Sequence, residues 1–114
     1  MDQEFVRVAI ETARRAATLG EVPIGAVVVR GDDILAVAHN RIEELQDPTA
    51  HAEVLAIREA TRKLKNWRLT GCALYVTLEP CAMCLGAARF ARVERIVFGA
   101  GDSRFGAIEG KRDW

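Results

Sequence analysis

Residues 72–100 read "CALYVTLEPCAMCLGAARFARVERIVFGA". "CALYVTL" (72–78) is rich in apolar, β-branched and aromatic residues and predicts a strand, as does "ERIVFGA" (94–100). Between them, Pro80 to about Ala91 predicts a helix. Pro80 suits the first helical position, where its missing N–H would have no partner anyway and its φ is already helical. Two strands joined through a helix run parallel, so this stretch places the chain in the α/β class.

The pattern continues upstream. "VPIGAVVVRGDDILAVAH" (22–39) predicts two strands around a turn at Gly31, Asp32 and Asp33, with the first strand central in the sheet. Phe5, Val8, Ala9, Thr12, Ala13 and Ala16 recur at helical spacing before a stop at Gly20. A further helix is predicted from about Thr49 to Lys65, with Val54, Ile57, Thr61 and Leu64 on one face. The order is α-β-β-α-β-α-β, followed by "GDSRFGAIEGKRDW" (101–114), which has little periodicity. An α/β layered sheet of about four strands follows. After the fourth strand such a domain would usually add a covering element, and the chain stops within about fifteen residues. Phe105 and Trp114 are candidates to cap the face left open.

The chain has 114 residues, half of them hydrophobic, which suits one domain spanning 1–114. Sixteen basic residues balance sixteen acidic ones, so no global charge points to nucleic acid. Two local clusters remain, Arg62, Lys63, Lys65 and Arg68 around Trp67, and Arg89, Arg92 and Arg95. Each reads equally as a phosphate grip or as solvated surface. Three cysteines are an odd number and too few for a secreted disulfide framework. The N-terminus also lacks the apolar core of a signal peptide, so a cytoplasmic location is expected. No apolar run approaches the ~18 residues of a membrane span, and no membrane partner is expected.

Cys81 and Cys84 lie three residues apart at a predicted helix start, on one face, where the helix dipole favours thiolate. His51 opens the preceding long helix. In parallel α/β units such helix starts gather at the carboxyl edge of the strands. His51, Cys81 and Cys84 are therefore candidate zinc ligands, three donors with one open position, the pattern of a catalytic site. Two thiolates leave the ion little net positive charge, so a nearby carboxylate must handle protons. Glu53 is the first candidate and Glu79 the second. Glu53 lies about 200° round the helix from His51 yet is within reach in the first turn. His39 stands as an alternative fourth ligand, whereas Cys72, at the far end of its strand, reads as a buried free thiol.

His51-Ala52-Glu53 followed by Pro80-Cys81-Ala82-Met83-Cys84 resembles the H-x-E…P-C-x-x-C signature of zinc nucleobase deaminases. "EVPIGAVVV", "HNR", "DPTAHAE", "NWRLTGCALYVTLEPCAMC" and "RIVFGAGD", in that order, are similar to the bacterial tRNA-specific adenosine deaminases across nearly the whole chain. The resemblance implies a three-layer α/β/α cytidine-deaminase-like fold with a central mixed sheet. Members continue into a further strand and C-terminal helices that are missing here. It implies one zinc per chain on His51, Cys81 and Cys84, with Glu53 as proton shuttle. It also implies substrate contacts from Asn40 and the Ala52 backbone amide, with Ile24 and Leu78 lining the pocket. The implied activity is conversion of adenosine to inosine at the wobble position of a tRNA anticodon, usually by a homodimer. Alternatives on the same scaffold are deamination of single-stranded DNA or of a free base or nucleoside such as guanine or cytosine. A non-catalytic zinc-stabilised interaction module is a further alternative, against which Glu53 argues.

Overall fold

A computed structural model describes residues 2–108; the proposed cap at Trp114 lies outside them. The elements are α1 (Asp2–Thr18), β1 (Gly25–Arg30), β2 (Asp33–His39), α2 (Ile42–Leu45), α3 (Ala52–Leu64), β3 (Cys72–Leu78), α4 (Ala82–Phe90) and β4 (Arg95–Ala100). The sheet order is β2-β1-β3-β4. β1 is antiparallel to both β2 and β3, and β3 is parallel to β4. The hairpin, the central position of β1 and the parallel crossover therefore stand as the sequence predicts.

Strand alternation divides the core into two layers of helix contacts. Ala26, Val28, Leu74 and Val76 face α3 and α4, in one cluster with Ala56, Ile57, Ala60 and Ala88. Val27, Val29 and Tyr75 face α1, where Ala9 and Phe5 meet them. With both faces covered, Ala26 to Val29 are all buried, as expected of a strand with no solvent side. One close approach depends on glycine. A Cβ at Gly25 would lie 2.1 Å from the Ala9 carbonyl oxygen, so only the smallest residue lets α1 rest on the start of β1.

Three expectations are corrected. Helix α4 begins at Ala82, and Cys81 is its extended N-cap (φ −75°, ψ 176°), so Pro80 precedes the cap instead of occupying the first turn. The Cys81 carbonyl accepts the Leu85 N–H at 2.9 Å, the first intrahelical bond, which fixes the cap. Second, α3 buries Ala52, Glu53, Ala56, Ile57 and Ala60, while Val54, Thr61 and Leu64 are only partly covered. Small alanines let the helix sit close to the sheet, so the inward face is rotated from the one the bulkier side chains suggest. Third, α2 has no counterpart among the predicted elements. It is four residues long, and none of them is buried.

Because β2, β3 and β4 run parallel to one another, their carboxyl ends share one edge with the start of β1. The chain leaves β2 toward His51 and leaves β3 toward Cys81, which brings both helix starts to that edge.

Candidate functional site

His51 is the extended N-cap of α3 (φ −75°, ψ 150°). Its Nδ1 lies 3.8 Å from Cys81 Sγ and 3.4 Å from Cys84 Sγ. Among the described residues, these three form the group of His, Cys, Asp or Glu side chains able to hold a metal ion, with their donor atoms all within 4.8 Å. A tetrahedral ion about 2.3 Å from sulfur and about 2.0–2.1 Å from nitrogen sets those atoms about 3.6 Å apart, so the donor set and its spacing fit. The His51 ring also hydrogen-bonds the Pro48 backbone. With Nδ1 turned to the sulfurs, Nε2–H is the donor, which leaves the Nδ1 lone pair for the metal.

The electrostatics agree. Hydrogen bonds from Cys84 and then His51 lower Cys81 to about 4, while the bond to Cys81 and burial push Cys84 up. The Cys81 contact raises His51 in turn. The three groups thus share protons that a bound cation would displace. His39 does not join them. Its Nδ1 lies 2.7 Å from the Asn40 carbonyl oxygen, and its ring lines a separate groove between β2 and α3. Cys72 is buried, and its thiol points to the Thr70 carbonyl.

Beside the group lies a cavity of about 460 Å³, lined mainly by apolar atoms of Val22, Ile24, Ile42, Leu78 and Phe105 and by Asn40, His51, Glu53, Glu79, Cys81 and Asp102. A volume of this size takes a small molecule or one nucleoside. Glu53 reaches it from the inward face of α3. Because His51 lies outside the helix, the predicted 200° separation from Glu53 does not apply. Glu53 is 4% exposed. Its Oε1 is the one buried side-chain N or O atom, among the described residues, without a hydrogen-bond partner. Burial raises its carboxyl above the usual carboxylate range, opposed by its own backbone amide and other neighbours. An orphaned acceptor this deeply buried is costly unless something else supplies a proton.

Glu79 is also buried, but its oxygens hold the chain after β4. Oε1 accepts the Asp102 N–H at 3.0 Å, and Oε2 accepts the Ile108 N–H at 2.8 Å. Gly106 pairs with Cys81 in an isolated bridge. The segment after β4, which has little periodicity in sequence, thus forms part of the cavity wall through Asp102 and Phe105. A lone buried glutamate before a proline carried no signal for that role.

Asn40 is 2% exposed, and its Oδ1 accepts the Ala52 N–H at 2.7 Å. The Ala52 amide is therefore satisfied within the protein, and Asn40 keeps its NH₂ as the donor on the cavity side. The two basic clusters are rearranged. Arg68 lies 4.4 Å and Arg92 5.6 Å from the Trp67 ring centroid, which merges them into one patch. Arg95 leaves it and pairs with Asp2.

The sequence model of the MafB19-like deaminase family matches residues 1–110. A tRNA-specific adenosine deaminase of Aquifex aeolicus is 52% identical over 104 residues, 91% of this chain and 69% of that protein. Its Bacillus subtilis counterpart is 52% identical over 105 residues, 92% of this chain and 65% of that protein. Among solved structures, one from a study of A-to-I editing by tRNA:A34 deaminases at the wobble position superposes with a TM-score of 0.93. It shares 48% identity, covering 96% of this chain and 84% of that one. A guanine deaminase from Bacillus subtilis gives a TM-score of 0.84 at 40% identity, covering 87% of this chain and 64% of that one. With the sequence match running from the first residue through the tail that walls the cavity, the chain belongs to the MafB19-like deaminase family, as a relative of the tRNA-specific adenosine deaminases.

Proposed function

We propose that this protein deaminates adenosine to inosine in RNA, at the wobble position of a tRNA anticodon. The observation that carries the reading is the partnerless Glu53 Oε1, buried in a nucleoside-sized cavity beside His51, Cys81 and Cys84. The names of the relatives about 50% identical over most of this chain support the substrate.

His51 Nδ1 and the Cys81 and Cys84 sulfurs would hold one zinc ion per chain. When bound at such an open site, zinc supplies Lewis acidity that makes water nucleophilic near neutral pH. Glu53 takes a proton from the attacking water at Oε1 and gives it to the purine ring nitrogen N1. A C6–O bond forms; Glu53, ionised again, takes the second proton from the new C6 hydroxyl and passes it to the amine, the C6–N bond breaks, and ammonia leaves. Burial, which raises the Glu53 carboxyl, suits it to this task, because it eases return of the proton that the carboxylate accepts. Asn40 orients the base through its NH₂ while its carbonyl fixes the Ala52 amide and so the first turn of α3. Ile24 and Leu78 provide the apolar walls. A base stacked in a helix could not enter, so the substrate is an unpaired loop nucleotide.

The patch of Arg68 and Arg92 around Trp67, with Arg62 and Lys65 nearby in sequence, would contact phosphates, an interaction that weakens with salt. Association as a homodimer would cover apolar side chains exposed on α4, where Phe90 is 78% exposed. No helix among the described residues is long and apolar enough to cross a membrane, and a cytoplasmic location, where tRNA is found, suits the reading.

Glu53→Ala tests the assignment. It should retain zinc while losing turnover by at least ~10²-fold; normal deamination by this variant contradicts the assignment. A second reading, deamination of free guanine, is favoured by the 40% identity to the guanine deaminase structure. It predicts turnover of the free base and none of RNA.

A further inference from the structure

Helix α2 stands between the cavity and the groove. Ile42 lines the cavity, while Arg41, Glu44 and Leu45 line the groove on the other side, so four residues separate the two. A helix this short does not sustain itself. Its N-cap, Arg41, makes no side-chain cap bond, and none of its residues is buried. Its stability must come from elsewhere.

Beside the exposed Arg41–Glu44 pair and the Arg41 N–H on the Ala50 carbonyl, the support from the protein interior comes from Glu21, twenty-odd residues upstream. Glu21 is 6% exposed, and its carboxylate accepts the Glu43 N–H at 3.0 Å on Oε1 and the Glu44 N–H at 2.7 Å on Oε2. The Glu21 N–H donates to the Ala16 carbonyl at 3.0 Å, which ties this anchor to the end of α1. A carboxylate facing the first-turn amides of a helix satisfies donors that would otherwise be unpaired and complements the helix dipole.

We infer that Glu21 is a positioning residue, the tether that holds α2 and with it Ile42 in the substrate wall. The inference rests on the reading of the cavity as the adenosine pocket. Glu21 acts on binding and not on chemistry, because the groups assigned to chemistry are carried by α3, α4 and their caps. Asn40 is fixed separately, by the Ala52 amide and by its own N–H on the Ile24 carbonyl. Loosening α2 removes a contact made equally with substrate and transition state, which raises KM and spares kcat.

The test compares zinc-loaded wild type with Glu21→Gln, whose amide has a single carbonyl acceptor for two N–H donors. Amide exchange at Glu43 and Glu44 should accelerate at least ~10-fold. On a tRNA anticodon stem-loop, KM should rise on the order of tenfold, with kcat within about twofold and zinc content unchanged. Should Glu21→Gln fail to fold, Glu43→Pro removes one of the two donors at a first-turn position that accepts proline, and faster exchange at Glu44 with the same KM and kcat pattern is expected. Unchanged exchange overturns the tether. Faster exchange with unchanged KM, or a fall in kcat in place of a rise in KM, overturns the positioning role. If wild type deaminates no RNA, the functional reading has failed, and the exchange comparison still decides whether Glu21 holds α2.

Discussion

Gly106→Ala should release the segment after β4 from the cavity without dismantling the fold. A Cβ at Gly106 would lie 2.3 Å from Glu79 Cδ, 2.4 Å from its Oε1 and 2.5 Å from the Asp102 carbonyl oxygen. Neither neighbour has room to yield, since the Glu79 carboxylate is buried and holds the Asp102 and Ile108 amides, and the other neighbour is backbone. The added methyl group must therefore break both hydrogen bonds. Bonds to a charged acceptor are worth about 1.5–3 kcal/mol each, so the segment loses roughly 3–6 kcal/mol of local anchoring. The remaining ties, the Gly106–Cys81 bridge and the Ala107 N–H on the Pro80 carbonyl, do not make up that loss, and the segment should open as a unit while the sheet remains. Amide exchange is the assay. Residues 102–108 should lose protection while β1 and β3 keep theirs, zinc should be retained, and substrate KM should rise as Asp102 and Phe105 leave the wall. Undiminished protection at Asp102 and Ile108 in a folded Gly106→Ala protein would refute the reasoning that Glu79 anchors this segment.

Other outcomes follow from the same structure. His51→Ala, Cys81→Ala and Cys84→Ala should each lose bound zinc. Cys72→Ala should keep one zinc per chain and cost only about 1 kcal/mol for its buried sulfur, as read by metal analysis and denaturant titration. Gly25→Ala should destabilise by about 1–3 kcal/mol or more, because α1 must move off β1, visible as a lower denaturation midpoint with unchanged slope. Asp2 accepts hydrogen bonds from Arg95 and Tyr75, which hold its carboxyl below the usual carboxylate range. A depressed folded-state pKa contributes stability that is present above the usual 3.8 and lost as pH falls through the lower folded value. Asp2→Asn should thus melt slightly below wild type at neutral pH, with the gap closing below that point.

The parts of the fold legible in sequence are those with a repeating signal. The apolar, β-branched-rich runs at 72–78 and 94–100 and the Gly31 turn predict the strands, and the positions of His51 and Cys81 after strands predict their meeting. What stayed hidden depends on single long-range contacts. Glu21 supports α2 across two elements of chain, so residues 42–45 carry too few positions for a period to appear. Glu79 looked like a proton donor because its neighbours in sequence are the ligands, whereas its partners in space are Asp102 and Ile108. Pro80 lies two residues before the first helical position, and a proline before an extended N-cap and one at the first helical position look alike in sequence. Reading α3 by its bulky residues missed that Ala52, Ala56 and Ala60 bring the helix close, turning Glu53 inward and giving it the burial its proposed role requires.

Mass-resolved deamination by the zinc-loaded protein, on a tRNA anticodon stem-loop, its single-stranded DNA equivalent, and free adenosine, guanine and cytosine, tests the central claim most directly. A gain of about 1 Da at the wobble adenosine of the stem-loop, absent with Glu53→Ala at equal zinc content, is the predicted result. Turnover of a free base with none of the stem-loop, or no turnover of any substrate with zinc bound, contradicts it.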